Sequence, residues 1–259
     1  MRRVFHPTIH LGDAKGSGAT RPSGVKLLLL NQPIYRPDLL FQLWENSLAR
    51  VCADGAANRL FDAFAPDQSE TRRTYLPDEI VGDLDSIRDD VKSYYAREQV
   101  QVTFVDDQES TDFGKAMRSL KSSTYQATTD IMVFGGIGGR IDQGIGLLHE
   151  ILREHHHDPQ TRLWLISESS ISFLLLPGEN IIETKFSQGY FTHQAGVLPI
   201  YGPATITTQG FEWDVNNWFT SMGGRVSTSN HIVQDTVCVT TDKMVLFTVE
   251  IAHDLPKMG

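Results

Sequence analysis

Cysteine is nearly missing from this 259-residue chain: Cys52 and Cys238 are the two present, far apart and without CxxC or Cys/His ligand spacing. That excludes a disulfide framework and a zinc site of the usual pattern, and makes a reducing, cytoplasmic setting the expectation. No apolar run approaches the length of a membrane-crossing helix, so no membrane is expected as partner. Positive charge is short as well, with 23 Lys and Arg against 32 Asp and Glu and a net charge of -9. A nucleic-acid coat is therefore excluded, while cations or metal-complexed anions suit the balance. There is no GxxxxGK[ST] loop. Asp112-Phe113-Gly114 spells a protein-kinase signature, yet the catalytic loop, Gly-rich loop and lysine strand that should accompany it are missing. No Ser/His/Asp or Cys/His set suggests a nucleophile. The run His155-His156-His157 lacks the i, i+4 spacing of a metal pair and reads as a solvated helix end. Residues 1–25 contain no long apolar segment of the secretory kind and read as a flexible leader.

What is present is a regular alternation. Short apolar runs at Lys26–Leu30, Arg50–Ala53, Ile80–Gly82, Val100–Val105 and Asp130–Phe134 predict strands, and the segments between several of them carry helical spacing. Pro37-Asp38 opens one such helix, and Ser110 or Thr111 caps another whose first turn contains Asp112. Residues 26–158 therefore predict a mostly parallel α/β sheet with helices on both faces. Beyond residue 158 the grammar changes to short β-branched runs separated by turns such as Pro177-Gly178 and Gly202-Pro203. Residues 159–259 predict an all-β domain, a sandwich or open barrel.

The chemistry gathers at the strand ends. Asp83 and Asp85 follow the apolar run Ile80-Val81-Gly82, and in an extended segment residues i and i+2 face the same way. Two carboxylates aimed at one point suit Mg²⁺, which is commonly held by one or two carboxylates and completed by water and phosphates. The same pair is also an ordinary acidic turn facing water. Its company argues for the first reading: Asp54, Asp112 and Asp142 also stand at or just past strand ends, where open α/β sheets place their ligands. Gly135-Gly136-Ile137-Gly138-Gly139-Arg140 lies between a strand and a helix, and its amides and guanidinium suit phosphate. Phosphoryl or pyrophosphoryl transfer and phosphate-ester hydrolysis remain.

Five strings in order, VCADGAANRLFD (Val51 to Asp62), VGDLDSI (Val81 to Ile87), DQESTDFGKAM (Asp107 to Met117), GGIGGRIDQ (Gly135 to Gln143) and VSTSN (Val226 to Asn230), resemble the thiamine pyrophosphokinase family in its eukaryotic form. The resemblance implies an ATP-binding α/β domain, a β domain, and a homodimer with the active site at the subunit interface. It implies transfer of pyrophosphate from ATP to the hydroxyethyl oxygen of thiamine, giving thiamine diphosphate and AMP. Carried across, Asp83, Asp85 and Asp112 would hold Mg²⁺ and, with Asp142, serve catalysis. Asp54, Gly55, Asn58, Gly135, Gly136, Gly138 and Arg140 would bind ATP and its phosphates. Gln108, Asp142, Trp213, Ser227, Ser229 and Asn230 would meet thiamine, whose thiazolium cation gains from the π face of Trp213. Ala56 departs from the glycine that the family often has there, and Phe186–Gln194 matches poorly. Two rivals share the Asp pair: a metal-dependent phosphatase of the haloacid dehalogenase type with Asp83 as nucleophile, and a nucleotide or vitamin sensor without transfer.

Overall fold

The computed structural model of this protein describes residues 1–12, 25–122 and 130–256. The chain opens with strand β1 (Arg2–Phe5) and the one-turn helix α1 (Pro7–His10). β1 is no loose leader: Arg2 to Phe5 pair in parallel with Glu179 to Ile182, and the Phe5 ring is buried against Phe173, 5.0 Å between centroids. This corrects the expectation of a flexible segment for the first residues, and Val25 already belongs to the next strand. The rest of the expected leader, residues 13–24, lies outside the described residues.

Then come β2 (Val25–Leu29), α2 (Pro37–Glu45), β3 (Ser47–Ala53), α3 (Ala56–Asp62), α4 (Ser69–Thr74), β4 (Glu79–Gly82), α5 (Asp89–Arg97), β5 (Gln101–Phe104), α6 (Asp112–Ser122), β6 (Asp130–Phe134), α7 (Ile141–His157) and β7 (Arg162–Ile166). These form one compact unit, whose described residues run from 25 to 168. Its strands lie in the order β7-β6-β2-β3-β4-β5, every pair parallel. The chain winds outward from β2 to β5 and then returns to lay β6 and β7 on the other side of β2. Right-handed crossovers in opposite directions put α2, α3 and α5 on one face and α6 and α7 on the other. In keeping with this, α3 packs on α5, and α6 on α7. Covered on both faces, β2 is buried along its whole length, which is why it reads as a continuous apolar run. The switch in winding falls between β2 and β6, the place where such sheets leave a crevice beyond their strand ends. The sheet also claims β7, which corrects the expected domain boundary from residue 158 to 168.

The second unit joins residues 1–12 to those from 169 onward. It adds β8 (Ser170–Leu175), β9 (Gly178–Glu183), β10 (Phe191–Leu198), β11 (Ala204–Gln209), β12 (Trp218–Thr220), β13 (Ser227–His231), β14 (Thr236–Thr241) and β15 (Val245–Ile251), with a 3₁₀ turn at Phe186–Gln188. One sheet runs β1-β9-β14-β11-β12, and β13-β10-β15-β8 form a second run of neighbours. The Phe5 to Phe173 stack joins the two, and Phe247 continues it at 5.3 Å, so the unit is a β sandwich as expected. Among the described residues no helix is long and apolar enough to cross a membrane.

Candidate active site

β3 ends at Ala53 and β4 at Gly82, side by side in the sheet, and α6 begins at Asp112 after β5. One carboxylate oxygen from each of Asp54, Asp83 and Asp112 therefore comes to lie within 4.8 Å of the others. Gly82 permits this approach, because a Cβ there would stand 2.7 Å from the Asp54 Cβ and 3.3 Å from Asp112 Oδ1. Asp85 is not a member of the trio. The backbone leaves the extended region right after β4, with Leu84 at φ 58°, so Asp83 and Asp85 do not share a strand face. Asp85 accepts a bond from Ser86 Oγ at 2.8 Å, and its carboxyl stays within interaction range of Asp54, Asp83 and Asp112, adding negative charge to the group.

Asp54 organises the loop. Its own φ is 41°, and its two oxygens accept the amides of Ser86 (3.2 Å) and Ile87 (3.1 Å). Asn58, expected at the phosphates, is spent on the same loop: it donates to Ser86 O at 2.8 Å and accepts from Arg88 N at 3.0 Å. Burial pushes the Asp54 carboxyl up to about 6, with the Ser86 amide opposing and Asp112 adding to the rise.

A buried cation accompanies the acids. Lys115, with a side chain 2% exposed, places Nζ 2.9 Å from Asp83 Oδ2 and 3.2 Å from Asp112 Oδ1. Its bond holds the Asp83 carboxyl below the usual range, while burial raises that of Asp112 against the same ammonium. Burial works to lower the lysine, and the bonds to Asp83 and Asp112 outweigh it, leaving the ammonium raised. Asp83 Oδ1 is buried with no hydrogen-bond partner among the described residues. A buried, unmatched carboxylate oxygen beside two further carboxylates is a hard-oxygen donor set of the kind that fits Mg²⁺.

At the winding switch, on the same edge of the sheet as the trio, the glycine loop lines a cavity of about 500 Å³ with Gln32, Tyr35 and Glu168, a size suited to a small-molecule ligand. Gly135, Gly136 and Gly138 all face it. Gly135 (φ +83) and Gly139 (φ +64) adopt backbone conformations that other residues resist. Asn31 joins the two regions, since it follows β2, receives Arg59 Nε at 2.9 Å and lies where a Cβ on Gly55 would fall. Arg140 and Asp142 stand at the start of α7 as an exposed ion pair, Nη2 to Oδ2 2.5 Å, which holds the Asp142 carboxyl down. Asp142 is thus not gathered into the acidic group. Gln108 lies exposed in the turn after β5.

The remaining expected residues are in the β-rich unit. Trp213 is 53% exposed, in the connection between β11 and β12, and Ser227 and Ser229 belong to β13, the latter at φ 55°. Asn230 is buried and turned inward, accepting Trp213 N at 3.3 Å and donating to Trp213 O at 3.0 Å. It positions the tryptophan through both ends of its amide. His231 backs the indole, ring centroids 4.8 Å apart, and is itself paired with Glu212. Lys115, Gln32 and this His231–Glu212 pair are the features that the sequence reading missed. For the lysine, the Asp112-x-x-Lys115 spacing on a helix was the available signal.

Known proteins align with this arrangement. Residues 40–164 match the family model described as thiamin pyrophosphokinase, catalytic domain, and residues 179–246 the one described as thiamin pyrophosphokinase, vitamin B1 binding domain. Thiamine pyrophosphokinase 3 of Oryza sativa subsp. japonica is 35% identical over 239 residues, covering 88% of this chain and 87% of the relative. The crystal structure of the yeast thiamin pyrophosphokinase superposes with a TM-score of 0.81 at 29% identity, covering 96% of this chain and 91% of that one. The Candida albicans enzyme gives the same TM-score at 26% identity, with 96% and 93% covered. With both domain models met in order and the α/β and β-rich units superposing across nearly the whole length, this chain belongs to the thiamine pyrophosphokinase family.

Proposed function

We propose that this protein transfers the terminal pyrophosphoryl group of ATP to the hydroxyethyl oxygen of thiamine, forming thiamine diphosphate and AMP. The observation that carries this reading is the acidic trio with Lys115 at the same sheet edge as a glycine-lined cavity. The alcohol oxygen attacks the β-phosphorus and gives up its proton to solvent, the bond from that phosphorus to the α,β-bridging oxygen breaks, and AMP departs with the bridging oxygen. The amides of Gly135 and Gly136 are held by Ile166 O at 3.1 and 3.0 Å and shape the loop, so the amide of Gly138 binds a phosphate oxygen and the guanidinium of Arg140 exchanges Asp142 for another. Asp83 and Asp112, with Asp54 beside them, would hold Mg²⁺, which when bound neutralises phosphate charge. The protein's contribution is then position and electrostatics rather than a covalent intermediate. Thiamine lies against Trp213, with Ser227 and Ser229 at its edge. Exposed Phe219 (53%) and Met222 (65%) lie between Trp213 and Ser227 in sequence, which supports a face covered by a second copy in a homodimer. Two unpaired cysteines, Cys52 and Cys238, fit a cytoplasmic setting.

Incubating the pure protein with thiamine, ATP and Mg²⁺ should yield AMP and thiamine diphosphate in equal amounts. ADP with thiamine monophosphate, or inorganic phosphate alone, would overturn the assignment. Because Asn230 acts through the backbone of Trp213, Asn230→Ala should raise the KM for thiamine about 3- to 10-fold and leave kcat within about twofold. Steady-state kinetics with thiamine varied at saturating ATP checks this. A fall in kcat at unchanged KM would mean that the indole is not the vitamin's platform.

A further inference from the structure

An ammonium as buried as that of Lys115 is costly unless its charge is matched. Two of its donors go to Asp83 and Asp112, on separate elements, while Asp54 completes a group of three acids with one cation. We infer that Lys115 is the positioning residue of this cluster, a built-in counter-cation that keeps the carboxylates at ligand spacing before metal arrives and leaves Asp83 Oδ1 for it. This rests on the reading of the trio as the Mg²⁺ site. The geometry supports a charge role over a packing one. Lys115 sits one turn into α6, i+3 from Asp112, and its head reaches across to the loop after β4, so one side chain ties the helix start to the Asp83 loop. Without it three carboxylates would share the space against nothing. With Asp85 adding its charge to the group, the cluster would become one unit more negative, raising both the mutual repulsion of the acids and their attraction for a divalent ion.

Thermal unfolding of the full-length protein with and without Mn²⁺, and Mn²⁺ binding by electron paramagnetic resonance, test this in Lys115→Met, Lys115→Arg and the Asp112→Asn/Lys115→Met double variant. The metal-free Tm of Lys115→Met should fall by about 10 °C. Mn²⁺ should restore most of that loss and bind about tenfold more tightly than to the unaltered protein. Lys115→Arg should keep the original metal response. The double variant restores the formal charge of the unaltered cluster and should regain several degrees over the single one, or fold where the single one does not. A fall in Tm of the same size with and without Mn²⁺, or losses that simply add in the double variant, would overturn the charge role in favour of packing. Unchanged Mn²⁺ binding with weakened ATP binding would overturn it in favour of a phosphate contact. A wild-type protein and Lys115→Met that both ignore Mn²⁺ would overturn the metal reading along with it, whereas equal Mn²⁺ responses in the two would overturn the lysine alone.

Discussion

Asp83→Asn should cut AMP formation by about 10³-fold while lowering Tm by no more than about 3 °C. The amide has the shape of the carboxylate, so the loop after β4 keeps its packing, and its oxygen can still accept from Lys115 as Asp83 Oδ2 does at 2.9 Å. What vanishes is the charge on the one side-chain oxygen of the trio that is both buried and unmatched, Asp83 Oδ1. A neutral amide is a poor ligand for a hard divalent cation, and an amide nitrogen turned that way would oppose one. Lys115 retains Asp112 at 3.2 Å, so no uncompensated ammonium is left behind to unfold the chain. Single-turnover AMP release and thermal melts on the same preparation separate the two effects. Turnover within tenfold of the unaltered protein would remove Asp83 from the metal's coordination and with it the role assigned to the trio.

The position of Asp83 was legible because Ile80 and Val81 form an apolar run too short for a helix, and a strand in a parallel sheet delivers its next residues to the ligand edge. Thr111 was legible as a cap, and its Oγ1 does accept Gly114 N at 3.1 Å. The partners of Asp83 were not. Asp83 and Asp85 share a face only where the backbone between them is extended, and Leu84 in the left-handed region breaks that condition. Asp54 joins because β3 and β4 are neighbours, a long-range fact that no local spacing records. Asn230 illustrates the same gap on the β side: a polar residue in a matching string suggests a ligand contact, and nothing local records that its amide also grips the Trp213 backbone from both ends. β1 was missed for a related reason. Arg2-Arg3-Val4-Phe5 has little strand signal alone and is ordered by pairing with β9 and by burying Phe5. β7 reads like any short β run, and only its pairing with β6 assigns it to the parallel sheet.

Gly82→Ala should damage the site more than any other single methyl added to it. The residue lies in a strand with no left-handed backbone to strain, so the penalty is one of space. An added Cβ would stand 2.7 Å from the Asp54 Cβ and 3.3 Å from the Asp54 Cα. These are inner atoms of a residue fixed at φ 41° by its bonds to Ser86 N and Ile87 N, and they cannot swing aside as the tip of a long side chain could. Relief therefore means moving the backbone after β3 or tilting β4, an overpacking cost of about 1–3 kcal/mol. For a chain of this size that corresponds to a fall in Tm of about 3–10 °C. The same displacement pulls Asp54 away from Asp83 and presses on Asp112 Oδ1, so the stabilisation of the protein by Mn²⁺ should disappear and AMP formation should drop at least about 100-fold. Gly55→Ala is the graded comparison. Its Cβ falls 2.4 Å from Asn31 Nδ2, the end of a side chain that can rotate, so a smaller loss is expected. Gly146→Ala is the blank, since nothing lies within 4 Å of its Cβ and alanine suits the middle of α7. Should Gly82→Ala keep full activity and metal response while melting lower, the closeness of Asp54 to the other two acids would be a matter of packing, and the site would need only Asp83 and Asp112.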